Sequence, residues 1–163
     1  MVFCKVKDQA YRQRRQERPN EPQTIDDMDL EKYPDLIVDK RGDKLCHGPT
    51  KSGCVVVMSK VQATIGGRLT SAMVDCTFSI TCPPWFQTLT LLGRVEDSKY
   101  PIAAALLPNK LETTYIDVLA TVRDICVENG TEMDFLFVHC DCEFALLNAI
   151  KTVFPNAQIR LCR

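Results

Sequence analysis

The stretch FLFVHCDCEFALLNAIKTVFP, Phe135 to Pro155, constrains this chain more than any other. Its apolar opening has the composition of a buried strand, passes two carboxylates at Asp141 and Glu143, and runs at once into an amphipathic segment. A strand followed directly by a helix needs a sheet for that helix to fold back on, which places the chain in the α/β class. Phe144, Leu147, Ile150 and Phe154 are predicted to form one apolar stripe on the helix. An acid at the end of a buried strand has two ordinary roles. It caps the following helix, or it holds a ligand at the carboxyl end of the sheet.

Three strand-like runs lie upstream, MVDCTFSIT, PPWFQTLTLLGRVED and YPIAAALLP, joined by short polar connections that suit an antiparallel meander. The next segment, LETTYIDVLATVRDICVENG, sets Leu111, Tyr115, Val118, Leu119, Val122, Ile125 and Cys126 at helical spacing, with Gly130 placed to stop the helix. A last run, AQIRLC, reads as a strand. The order is therefore β-β-β-α-β-α-β, a sheet that begins antiparallel and ends in parallel crossovers. It resembles a ribonuclease H-like core, in which the first and fourth strands are neighbours. Asp75 lies on the first of these and Asp141 ends the fourth. Strands disfavour Asp, and a buried carboxylate without partners is costly, so Asp75 calls for a function more strongly than Asp141 does.

The 163 residues suffice for one domain with a core, and no apolar run approaches the roughly 20 residues of a membrane span. The N-terminus becomes basic where a signal peptide is apolar, which reads as an intracellular chain. Nine cysteines are scattered through apolar segments rather than spaced as a disulfide framework, and most are expected to be reduced core residues. Net charge is only −1, yet Lys5, Lys7, Arg12, Arg14, Arg15 and Arg18 crowd the first eighteen positions. That cluster reads as a basic helix ended by RPNEP, either a phosphate-contacting arm or a solvated face. We divide the chain into a basic arm or linker (1–21), a connecting segment with a hairpin in LCHGPTKSGCVVVMSK (22–67), and the core (68–163).

Several further groups carry bland readings. GGRLTS lacks a phosphate-binding loop pattern and is predicted to turn into the first core strand. His139 and Cys140 are adjacent on a strand and face opposite ways, which argues against zinc, while Cys46, His47 and Cys54 lack an obvious fourth ligand. Trp85, Tyr115 and the other aromatics recur among apolar neighbours, not among Lys and Arg. They are expected to pack in the core or at its edge.

VDCTFSITCPPWFQTLTLLGRVEDSKYPIAAALLPNKLETTYIDVLATV followed by HCDCEFALLNAIKTVFPNAQIRLC resembles the MULE (Mutator-like element) transposase domain. That family opens on an Asp-Gly-Thr-Phe strand, has a Leu-Leu-Pro-Asn-Lys turn before a helix, and leads from Asp-Phe-Glu into an Asn-Ala-Ile helix closed by Phe-Pro. The upstream segments resemble those lying between a FLYWCH-type zinc finger and the transposase core. The resemblance implies a truncated ribonuclease H-like core in which Asp75 and Asp141 are the first two catalytic acids and ligands of Mg²⁺ or Mn²⁺. Glu143 matches a family-typical residue outside the acidic triad, and the third acid is expected beyond Arg163. Cys76 stands where the family has Gly, and Cys142 where it has Phe. The implied chemistry is nuclear, metal-dependent hydrolysis and strand transfer of DNA, with the isolated chain inactive; the alternative is a domesticated or relic DNA-binding or interaction protein.

Overall fold

Burial alternates along the strand Ser71–Thr77, with Ala72 and Val74 inside and Asp75 exposed, and that period of two tells which face of the sheet carries the core. The computed structural model describes residues 23, 24, 27 and 37–162, except 80, 96 and 97. Lys5, Lys7, Arg12, Arg14, Arg15 and Arg18, with the helix expected to carry them, lie outside the described residues. The elements are β1 (Cys46–His47), β2 (Val55–Val57), α1 (Lys60–Gly66), β3 (Ser71–Thr77), β4 (Gln87–Val95), β5 (Ser98–Leu107), α2 (Glu112–Glu128), β6 (Phe137–Cys140), α3 (Phe144–Val153) and β7 (Gln158–Leu161).

From β3 onward the order is the expected β-β-β-α-β-α-β. All strands join one seven-stranded sheet in the order β1-β2-β5-β4-β3-β6-β7. β3, β4 and β5 pair antiparallel as a meander, whereas β3–β6 and β6–β7 are parallel. The expected hairpin is present, with Cys46 opposite Val57, and it extends the sheet because Val56 pairs with Ala105 of β5.

Helix α1 was not anticipated. A capping box begins it, in which Ser59 Oγ accepts from the Gln62 backbone N–H and Gln62 Oε1 accepts from that of Ser59. Its far end meets the loop after α2. A side chain on Gly67 would bring its Cβ within 2.4 Å of Thr131, and the Thr131 hydroxyl donates to the Ala63 carbonyl. Thus the expected turn into β3 starts at Gly67, directly after Gly66 ends α1, and close packing against Thr131 favours glycine there.

Ala72, Val74, Leu89, Leu91, Val138 and Cys140 on one sheet face share a core with Ala63 of α1, Tyr115, Val118, Leu119 and Val122 of α2, and Leu146, Ala149 and Ile150 of α3. Each fully buried Leu or Val there contributes about 1.5–3 kcal/mol, so Leu119→Ala would open a cavity costing about 2–5 kcal/mol. The α3 stripe is placed differently from the sequence reading. Phe144 is 79% exposed and Leu147 half-buried, while Leu146, Ala149, Ile150 and Val153 are buried. Phe144 is the helix's first residue, beyond the carboxyl end of β6, and the face that packs on α2 starts two positions later. Gly130 stops α2 region as expected, adopting φ 74° two residues after Glu128.

All eight described cysteines are free; Cys46, Cys54, Cys126 and Cys140 are buried and Cys76 half-buried, whereas Cys82, Cys142 and Cys162 are exposed. Among the described residues no helix is long and apolar enough to cross a membrane.

Candidate functional site

The two aspartates singled out in the sequence lie on neighbouring strands, Asp75 within β3, two residues before its end, and Asp141 directly after β6. β3 and β6 run parallel with Ala72 opposite Val138 and Val74 opposite Cys140, so Asp75 and Asp141 are the next residue on each chain past the last pair. Both are exposed, and neither carboxylate takes a hydrogen bond or salt bridge among the described residues. Asp141 does not cap α3. Glu143 occupies the N-cap, and its side chain makes no capping bond either.

The residues following the two acids differ. Cys76, at the position where Gly was expected, packs against the core on the face opposite Asp75, so its side chain does not crowd that carboxylate. Burial pushes its thiol up to about 12, with the nearby Tyr115 hydroxyl opposing the rise by a hydrogen bond. Cys142 is exposed, so the smaller side chain there removes no core packing.

Glu143 is held by a network that sequence reasoning missed. Tyr115 Oη donates to Glu143 Oε1 at 3.0 Å, and Lys110 Nζ lies 3.9 Å from Glu143 Oε2. Gln87 Nε2 donates to Tyr115 Oη at 2.7 Å and to the Asn109 carbonyl at 3.2 Å. Asn109 Oδ1 in turn accepts from Thr114 Oγ1 and the Leu111 backbone N–H. Gln87 is fully buried, and its Oε1 has no partner. Burial, ahead of its hydrogen-bond and charge neighbours, raises the Tyr115 hydroxyl well above the usual phenol range, so this hydroxyl stays a donor to Glu143. The network joins β4, the turn before α2, α2 itself and the start of α3. Its only sequence trace was the LLPNK turn, because every other contact joins residues far apart along the chain.

Lys110 also reaches two aromatic rings. Its Nζ sits 4.3 Å from the Phe78 centroid and 5.9 Å from that of Phe86, and the rings meet edge to face at 5.6 Å. The aromatics, expected in the core or at its edge, divide between the two. Tyr115 and Trp85 are buried, but Phe78, Phe86 and Phe144 are exposed. The aromatic-with-lysine pattern is absent from the sequence because Lys110 arrives from a different connection than Phe78 and Phe86.

The remaining flagged groups are apart from the aspartates. His139 faces away from the core with Ser71, Met73, Arg94 and Lys99 around a hollow of about 220 Å³, while Cys140 is buried on the opposite face. His47 lies near the other sheet edge, where Nε2 is 3.0 Å from the Met58 carbonyl and burial lowers its pKa. Burial pushes the Cys54 thiol up to about 11. Among the described residues, no three or more His, Cys, Asp or Glu side chains are grouped to hold a metal ion. Asp75 and Asp141 do offer the donor type that suits Mg²⁺, which is commonly held by one or two carboxylates and completed by water.

Residues 73–163 match the family model of the MULE transposase domain. No curated protein matches the chain significantly.

Proposed function

The chain belongs to the MULE transposase domain family, and from that membership we propose that it is part of a DDE-type DNA transposase core in which Asp75 and Asp141 hold a divalent metal. The observation that carries this reading is the β3–β6 register, which brings the two aspartates to equivalent positions on adjacent parallel strands. The element order and the adjacency of the first and fourth core strands also support a ribonuclease H-like core. Bound there, Mg²⁺ or Mn²⁺ would supply activation of water and stabilisation of the leaving oxygen in phosphodiester cleavage. The roles of this chain's own residues are then distinct. Asp75 and Asp141 present hard oxygen donors, and Glu143 is engaged by Tyr115 and Lys110.

DNA is the proposed partner and the nucleus the proposed compartment. Lys5, Lys7, Arg12, Arg14, Arg15 and Arg18 form the proposed phosphate-contacting arm. On this reading the 163 residues bind both metal and DNA.

Thermal unfolding with Mn²⁺ tests the metal site. Two carboxylates at neighbouring positions repel until a cation screens them, so Mn²⁺ at ten times its Kd should stabilise the wild type by about 1.4 kcal/mol. Asp75→Asn and Asp141→Asn should each reduce that gain. Equal stabilisation of the wild type and the double Asn variant would sink the assignment. The arm is tested by salt titration: replacing Arg12, Arg14, Arg15 and Arg18 with Ala should flatten the slope of log affinity against log salt, at about 0.9 per lost duplex phosphate contact. An unchanged slope would remove the arm from the DNA interface.

A further inference from the structure

Resting on the proposal that this chain handles DNA, we propose that Phe78, Phe86 and Lys110 form a stacking site for an unpaired nucleotide beside the two aspartates. The rings are 45% and 53% exposed, whereas Trp85, Tyr115, Phe135 and Phe154 are buried. They are not splayed at random: an edge-to-face contact fixes them to each other, and the Phe86 N–H donates to the Leu107 carbonyl at 2.8 Å, pinning its backbone to the end of β5. Between them Thr81 is itself held, with its hydroxyl 2.8 Å from that of Thr88 and donating to the Thr77 carbonyl. The ring pair is thus held in place at the surface.

Position links the pair to the chemistry. Phe78 directly follows the end of β3, three residues past Asp75. Lys110, over Phe78, is also 3.9 Å from Glu143, two residues past Asp141. The patch therefore borders both acid-bearing segments.

Composition selects the occupant. A flat apolar face suits a base, and an ammonium group beside it suits the phosphate of the same nucleotide. Lys110 keeps 42% of its side-chain surface exposed, so it can reach a phosphate without leaving the rings. An apolar protein partner is disfavoured, because it would bury that ammonium at the centre of its contact, where interfaces are depleted of charge. Duplex DNA is disfavoured as well, since paired bases show their faces only to one another. Single-stranded DNA next to a cleavage site presents both features at once.

The test uses the 163-residue chain and two fluorescent probes, a ten-nucleotide oligothymidylate and a duplex of the same length, at one salt concentration. Phe78→Ala/Phe86→Ala should weaken the single strand about tenfold and the duplex less than twofold. Phe78→Tyr/Phe86→Tyr should retain single-strand affinity, whereas Phe78→Leu/Phe86→Leu, apolar but ringless, should lose it. Iodouracil in the oligothymidylate should cross-link to Phe78 or Phe86. The stacking site is overturned if the Ala variant binds the single strand unchanged, if both probes lose equally, if Leu serves as well as Tyr, or if the Ala variant changes only the chain's self-association. Failure of the underlying DNA reading looks different. In that case the wild type binds neither probe, and both proposals fall.

Discussion

Two carboxylate environments lie within a few residues of each other, and they are built in opposite ways. Glu143 accepts from a buried tyrosine, neighbours a lysine, and belongs to a network reaching through Gln87 and Asn109 to three other parts of the fold. Asp75 within β3 and Asp141 just after the adjacent β6 are exposed and unpartnered among the described residues. Proximity to a strand end is thus no guide to role. A carboxylate already engaged by protein donors contributes to the joint that carries it, and one left open is available to a cation.

The largest expected effect lies on the Glu143 side. Tyr115→Ala removes a fully buried ring and the hydroxyl that links Gln87 to Glu143, so unfolding in urea should show a loss of about 3–5 kcal/mol. Tyr115→Phe keeps the ring and deletes only the hydroxyl. Its loss should be about 1–2 kcal/mol, because Gln87 Nε2 retains the Asn109 carbonyl. If Tyr115→Phe is as stable as the wild type, the network does not hold Glu143, and the contrast between the two environments collapses.

Cys76, which follows the first acid, adds a test through pH. The Cys76 thiol is raised to about 12 from an ordinary 9.0, chiefly by burial, so the unfolded chain gives up this proton at lower pH than the folded one. Its contribution is complete below about pH 9 and is lost as pH rises towards 12, with a slope of at most about 1.4 kcal/mol per pH unit. Cys76→Ala should therefore flatten the alkaline fall in stability measured by urea unfolding at pH 8, 9 and 10. Parallel curves for wild type and Cys76→Ala would show that Cys76 is not buried as described.

The parts of this molecule that were legible in the sequence are those set by local pattern. The three-strand meander, α2 with its glycine stop and the β6–α3 unit follow from periodicity and turn chemistry, whereas the pairing that brings Asp75 beside Asp141 was expected from the resemblance to a ribonuclease H-like core. Helix α1 was readable in principle from Ser59 and Gln62, whose spacing is that of a capping box, but its seven residues are too few to show a periodic stripe. The α3 face was misplaced because Phe144, although apolar, overhangs the sheet, and only packing on α2 decides which stripe is buried. The network around Glu143 and the Phe78–Lys110–Phe86 group were hidden for another reason. Gln87 meets Asn109, Tyr115 meets Gln87 and Glu143, and Lys110 meets the two rings across 22 or more residues, and no local spacing encodes those meetings.

The smallest expected effect is the most telling for the aspartates. In chelator-treated buffer, Asp75→Asn/Asp141→Asn should change stability by no more than about 0.5 kcal/mol, since exposed side chains without partners contribute little to the folded state. The sign should lean towards stabilisation, because the substitution removes two like charges from neighbouring strands. Glu143→Gln offers the control: it preserves shape but weakens the acceptor for Tyr115 and discards the Lys110 pair, for a loss of about 1 kcal/mol. Urea midpoints at neutral pH and moderate salt separate these outcomes, provided the slopes agree among variants. A loss above about 1.5 kcal/mol in the double Asn variant would make the aspartates structural, like Glu143, and would take away the physical motive for placing a metal between them. A neutral result leaves two carboxylates that the fold does not need for stability, at the one end of the sheet where neighbouring strands present them together.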